Sequence, residues 1–323
     1  MPTQLRLFCS GYFEDSEGAL AVSLVIHRFN AMASDCAVHL QAETAAVSAM
    51  IAIAAEAEVR RIEARYSRYR ADSELTRINL AAAAGGATDI DPETAGLIAY
   101  AKACFQSSEG AFDITSGLLR QVWDFSKARL PEQREIDALL PRIGLDKVTL
   151  SDGRLSFAQA GMELDLGGLG KEYAADRAAE LCSEMEARHG FVDLGGDIRV
   201  IGAQADGQPW RIGIRDPRDR ASMVAAVALH GGALATSGDY ERFTEVDGRR
   251  YCHILDPRTG WPAQGLSSVT VITERCLVAG SLATSAMLRG EKGGAWLERL
   301  GVRHIVIDNQ GRCNGTEPLP IRP

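Results

Sequence analysis

Two stretches of this chain carry residue types suited to chemistry on a phosphate. In LDLGGLGKEYAADRAAEL, Leu164–Leu181, three glycines lead into Lys171 where a helix is expected to begin. The free amides of a helix start partly offset negative charge, and a lysine adds a point charge. The spacing is not that of a P-loop. That motif needs glycine five residues before its Gly-Lys pair and Ser or Thr after the lysine, and those places hold Asp165 and Glu172. In HILDPRTGWP, His253–Pro262, the imidazole of His253 and the carboxylate of Asp256 are candidate general bases.

Four further stretches combine glycine, aspartate and small hydroxyl residues. They are GAFDITSGLL (Gly110–Leu119), VDLGGDI (Val192–Ile198), ALATSGDYER (Ala233–Arg242) and VAGSLATSAM (Val278–Met287). Any one of them alone reads as a turn. Neither GxSxG nor HExxH occurs, so a serine hydrolase or a zinc protease lacks its local signature.

Composition narrows the classes. The chain has 323 residues, 46% apolar and 24% charged, which is ample for a buried core. A formal net charge of −8 without a long Lys/Arg run lacks the footprint of nucleic-acid binding. Any phosphate-bearing ligand must be met by local groups, backbone amides or a metal. The seven cysteines are scattered and contain no CxxC, so they read as reduced, buried or half-buried thiols. No stretch approaches a membrane span and the N-terminus lacks the apolar core of a signal peptide. The expectation is a soluble cytoplasmic protein.

The candidate residues need elements to position them. Ala19–Glu43 reads as two strands around a polar turn. Val47, Ile51, Ala55, Val59, Ile62, Tyr66 and Tyr69 recur at helical spacing and predict one face of a long helix. Asp72 or Ser73 is placed to cap a short second helix, and Asp91-Pro92 to open a third. KVTLSDGRLSFA reads as a hairpin with an Asp-Gly turn. A helix follows over Lys171–Arg188, then a run of strands. The end is read as a strand (Ser268–Thr273), two helices (Leu277–Arg289 and Ala295–Gly301) and a strand (His304–Asp308). Helices and strands fall into runs, which favours α+β over a doubly wound sheet. Residues 1–20 read as a loose segment and 21–323 as one domain.

In their order, these stretches resemble the FAD:protein FMN transferase (ApbE) family. RFNAMAS and SRYRADSELTRIN fit its N-terminal blocks, and TSGDYERF followed by HILDPRTG is highly specific. The resemblance runs over residues 27–310. It implies a mixed α+β fold of two lobes around a flavin cleft, and FMN transfer from FAD to a threonine of a target flavoprotein. The reaction uses magnesium and releases AMP. Carried over by motif, Met32, Tyr69, Ala111, Phe112, Asp113, Asp165, Lys171, His253 and Ile254 contact the flavin nucleotide. The Gly168 carbonyl and the Thr284 hydroxyl face the metal.

The chain departs from the family pattern at three places. Ala33-Ser34 stands for Gly-Thr, and Glu172 follows Lys171 where glycine is usual. Gly280 replaces an aspartate that faces the metal. Magnesium prefers sites with one or two carboxylates. Glu172 is the nearest substitute in sequence, with Ser281 and Glu274 as weaker oxygen donors. The simpler expectation for Glu172 is a solvent-facing first-turn glutamate. A second reading therefore stays open, that of a flavin-binding relative acting as carrier, partner or FAD pyrophosphatase. The oligomeric state is not legible.

Overall fold

The computed structural model describes residues 23–42, 44–219 and 221–317. The segment expected to be loose, 1–20, lies outside the described residues, and so does Cys9.

The chain opens with the expected hairpin, β1 (Ser23–Ala31) and β2 (Ser34–Ala42), turning at Met32-Ala33. Helix α1 (Ala45–Tyr66) follows, capped by Thr44. Its buried face is Ser48, Ile51, Ala52, Ala55, Val59, Ile62 and Tyr66. Two positions of the expected face are corrected. One turn before Ile51 the spacing admits either 47 or 48, and packing takes Ser48 while Val47 is exposed. Tyr69 lies beyond the helix end and is 80% exposed.

Ser73, not Asp72, caps α2 (Glu74–Ala84), accepting from the Thr76 amide. β3 (Ala87–Asp89) follows, and Asp91 then caps α3 (Pro92–Ser107) with proline in its first turn. The stretch LPEQREIDALLPRIG forms only the single turn α4 (Gln133–Asp137) followed by 3₁₀ turns. The Asp-Gly hairpin is β4 (Val148–Ser151) with β5 (Arg154–Phe157). Both Asp152 and Gly153 have positive φ, 49° and 72°, as a primed two-residue turn requires. Next come α5 (Gly170–Glu184), β6 (His189–Leu194), β7 (Asp197–Gly202), β8 (Trp210–Arg215), β9 (Met223–Leu229) and β10 (Gly232–Gly238). β11 (Phe243–Val246), unforeseen, pairs with β12 (Arg249–Cys252). The chain ends with β13 (Leu266–Thr273), α6 (Cys276–Leu288), α7 (Gly293–Arg299), β14 (Arg303–Asp308) and β15 (Cys313–Gly315).

An eight-stranded antiparallel sheet, ordered β1-β2-β6-β7-β10-β13-β14-β15, is the frame. Its central strands are covered on both faces. Val192, Leu194, Ala233, Ala235, Val269 and Val271 join the core shared with α1, α5 and α6. Phe191, Ile198, Leu234 and Ile272 join a second core under the β8–β9 hairpin, with Trp210, Ile212 and Val227. Side chains alternate between faces along a strand, so neighbours such as Ala233 and Leu234 serve different cores. A third, smaller core gathers Leu118, Leu119, Trp123 and Ile136, with Tyr251 and Trp261 packed against it. The five buried cysteines and the half-buried Cys313 are free thiols.

Helices α5 and α6 lie side by side against the sheet, and a carboxylate joins them. Asp176 of α5 accepts the Cys276 and Leu277 amides at 2.8 and 3.0 Å, capping α6, whose own N-cap residue, Arg275, provides no side-chain cap. One turn earlier on α5 and one turn later on α6, Glu172 meets Gly280. The two helices are therefore antiparallel, and their contacts step in fours.

Candidate active site

The glycine-rich stretch is held at its front by side chains from other segments. Asn79 of α2 brackets Leu164, donating to its carbonyl at 2.9 Å and accepting its amide at 2.8 Å. The Asp165 amide donates to the Ile114 carbonyl at 2.7 Å, which ties the loop to the GAFDITS stretch. The Asp165 carboxylate accepts the Gly167 amide at 2.8 Å and pairs with Arg68. Arg68 also donates to the Tyr69 hydroxyl at 2.9 Å and lies 5.0 Å from that ring's centre. The SRYR and DLGG stretches thus form one surface, with the exposed Tyr69 ring at its edge. Gly117 is needed beneath it, because a Cβ there would stand 2.2 Å from the Asp165 Cβ.

Three expected flavin residues form the layer behind this surface. Ala111, Phe112 and Asp113 are buried. Asp113 accepts from the Thr115 amide (2.8 Å), the Thr115 hydroxyl (2.7 Å) and the Leu145 amide (3.2 Å). Burial raises its carboxyl pKa while those donors pull it down. The Phe112 ring lies 3.8 Å from where a Cβ on Gly168 would be, so an aromatic plate backs the glycine loop.

The start of α5 is where charge collects. Leu169 at its N-cap offers no side-chain acceptor. Lys171 Nζ pairs with Asp197 at 2.6 Å, and that aspartate is buried. Burial works against the lysine's charge, but Asp197 and Glu172 more than offset it, so its pKa is raised. Asp193, also buried, accepts the Gly196 amide at 2.8 Å. Burial, followed by repulsion from Asp197, pushes its carboxyl up to about 6. Thus VDLGGDI, which alone reads as a turn, supplies two carboxylates to the helix start, Asp193 and Asp197, that local pattern does not single out.

Glu172 overturns the solvent-facing expectation. It is 7% exposed, and its Oε2 has no hydrogen-bond partner. Burial and then Asp197 raise its carboxyl pKa. A first-turn glutamate gains the same local helix-end attraction whichever way it points. Here the space over Gly280 draws it inward.

Thr284, one turn beyond Gly280, has its hydroxyl 2.8 Å from that of Ser237 in β10. The ATSGDYER and AGSLATSAM stretches therefore meet. Asp239 of the first is clamped by Arg218 at 3.0 and 3.2 Å, and Arg218 also reaches Ser267. Among the described residues no three His, Cys, Asp or Glu side chains converge as a metal cluster.

His253 and Asp256 differ in availability. His253 lies at the surface with Nδ1 3.2 Å from the Arg242 carbonyl; a carbonyl only accepts, so Nδ1 carries the proton and Nε2 is an acceptor. Desolvation by the surrounding protein, and then the charges of Arg242 and Lys171, outweigh the Arg242 carbonyl and hold its pKa below the usual histidine range, so the ring is neutral at pH 7. The Asp256 carboxylate is spent within its own turn, on the Arg258 amide at 2.9 Å and its guanidinium at 2.9 and 2.7 Å. Ile254 is buried beneath. Met32 sits in the β1–β2 turn, its amide 2.5 Å from Glu63 of α1. A cavity of about 320 Å³ flanks that turn, lined by Asn30, Ala33, Asp35 and Glu63.

Fold and site together define an α+β protein with a glycine-rich helix start at which Lys171 stands among buried carboxyl groups. The chain belongs to the ApbE family, whose model matches residues 32–306. It is 32% identical over 247 residues to the FAD:protein FMN transferase of Haemophilus influenzae, covering 73% of this chain and 71% of that one. Its structure is similar to the ApbE protein of Thermotoga maritima, with a TM-score of 0.85 at 33% identity, over 91% of this chain and 97% of that one. The apo flavinyl transferase ApbE of Pseudomonas stutzeri gives 0.82 at 29% identity, over 92% and 95%.

Proposed function

We propose that this chain is an FAD:protein FMN transferase acting on a threonine of a target flavoprotein. The observation that carries this reading is the start of α5, where Lys171 is fixed by Asp197 beneath an uncapped helix end, within a chain whose relatives are named for that reaction. Lys171 and the helix-end amides receive the FAD pyrophosphate. Tyr69, held by Arg68, and Met32 in its turn offer apolar surface to the isoalloxazine ring.

The reaction is a phosphoryl displacement, in which positioning and charge stabilisation do most of the work. The acceptor threonine Oγ forms a bond to the flavin-side phosphorus. The pyrophosphate P–O bond breaks and AMP leaves. The threonine proton passes to a base, and neutral His253, with Nε2 free to accept, is the stronger candidate. Asp256 is weaker because Arg258 occupies it.

Magnesium fits this donor set, because Glu172 keeps a buried, unpartnered carboxylate oxygen near the helix start. The Gly168 carbonyl, the Thr284 hydroxyl and Glu172 would hold it, and it would draw negative charge from the pyrophosphate. Among the described residues no helix is long and apolar enough to cross a membrane.

The deciding experiment incubates the protein with FAD, magnesium and a flavoprotein domain bearing an acceptor threonine. A mass gain equal to FMN with release of AMP is expected. An unmodified acceptor with FAD still bound would replace this reading with that of a flavin-binding relative.

A further inference from the structure

We infer that Glu172 is a metal-facing carboxylate delivered from α5, and that Gly280 is the glycine that admits it. This rests on the reading above for the identity of the anionic substrate, and on the structure for the geometry.

The first observation is steric. A Cβ at position 280 would stand 2.5 Å from Glu172 Cγ, 2.6 Å from Oε1 and 2.9 Å from Cδ. No side chain larger than hydrogen fits on α6 there while Glu172 keeps its place. The second is chemical. Glu172 is more than nine-tenths buried, yet Oε2 has no hydrogen-bond partner. Leaving a buried carboxyl oxygen without a partner is unfavourable, and a bound cation would relieve it. Lys171 Nζ, which pairs with Asp197 at 2.6 Å, makes no hydrogen bond to that oxygen.

The third observation is the helix register. Asp176 caps α6 at Cys276 and Leu277, and Glu172 lies against Gly280. Four residues further along each helix direction stand Gly168, just before α5, and Thr284 on α6. Thr284 turns its hydroxyl toward Ser237. The antiparallel step that seats Glu172 thus places Thr284 one turn beyond Gly280 on α6, while Gly168 lies four residues before Glu172, just ahead of α5. One carboxylate with neutral oxygens, water and a phosphate oxygen is a donor set that magnesium accepts.

The test titrates the intact protein with Mn²⁺ as a magnesium surrogate, counting free Mn²⁺ by electron paramagnetic resonance, without FAD. Wild type, Glu172→Gln and the exchange variant Glu172→Gly with Gly280→Asp are compared, with folding checked by circular dichroism. Glu172→Gln is expected to weaken Mn²⁺ at least tenfold, and the exchange variant to bind within about threefold of wild type. Unchanged Mn²⁺ affinity in folded Glu172→Gln, or no Mn²⁺ binding by wild type, overturns the assignment. FMN transfer is assayed separately on the same samples. Wild type that transfers FMN while Glu172→Gln keeps its Mn²⁺ affinity would sink this inference and leave the function standing. Wild type that transfers nothing while Glu172→Gln loses Mn²⁺ would do the reverse.

Discussion

Glu172 and Gly280 occupy one space between two helices, the side chain of one lying where a Cβ of the other would be. Their coupling is measurable as stability, apart from any metal. Gly280→Ala forces the glutamate aside in a packed interior and is expected to cost about 1–3 kcal/mol, as overpacking does. In a Glu172→Ala background the same change should cost far less. A double-mutant cycle in urea reads the coupling directly. Additive effects would mean that the two residues do not compete for this space.

Lys171 and Asp197 form a pair that is open on the lysine side and buried on the aspartate side. Lys171→Met leaves the carboxylate alone, with an expected loss of about 2–4 kcal/mol, below the range for fully buried pairs because the lysine is partly solvated. Adding Asp197→Asn should recover most of that stability. FAD affinity, followed by quenching of flavin fluorescence, should stay low in both variants. If affinity returned along with stability, the lysine would be a structural partner and not a ligand for the pyrophosphate.

The β1–β2 turn carries two non-glycine residues in left-handed backbone, Met32 at φ 52° and Ala33 at φ 57°. An L-residue with a Cβ pays roughly 1–2 kcal/mol there, and glycine does not. Ala33→Gly is therefore expected to stabilise the protein by about 1 kcal/mol, read as a higher urea midpoint at unchanged m-value. A neutral or lower midpoint would contradict the turn geometry.

His39 is almost fully buried and stacks on Phe191 at 4.2 Å between ring centres. Burial first, and then Arg28, pushes its pKa down to about 4 from a usual 6.5. The unfolded chain binds that proton more readily, so this contribution to stability is present above pH 6.5 and is lost as pH falls to about 4. The loss is on the order of 3 kcal/mol. Asp193 runs the other way. Its carboxyl, raised to about 6, favours the folded state at low pH and ceases to as pH rises through 6. The difference in unfolding free energy between wild type and His39→Phe isolates the histidine. It should grow in favour of the variant from pH 6.5 down to 4, and a flat difference would mean that His39 titrates normally.

Much of the frame was local information. The Thr76 and Thr94 amides find their caps in Ser73 and Asp91, and the Asp152-Gly153 turn follows from the φ preferences of its residues. The loops that carry His253 and Lys171 were legible as motifs for the same reason. A glycine-rich turn or a helix start is specified by a few adjacent residues.

What those residues touch was settled only in three dimensions. Lys171 reads as a free cation, and Asp197 reaches it from the start of β7. Val47 and Ser48 are equally placed by helical spacing, and the neighbouring elements decide which is buried. Glu172 is the sharpest case. Helix propensity and the attraction of a helix start are the same for an inward and an outward glutamate, so local pattern cannot distinguish them. The missing side chain on α6 decides it, and α6 is brought beside α5 by the Asp176 cap and by the sheet beneath both helices. The sequence by itself determined most of the elements and the chemistry on offer. Tertiary packing decided which charges meet, because burial and pairing are properties of neighbours far apart along the chain.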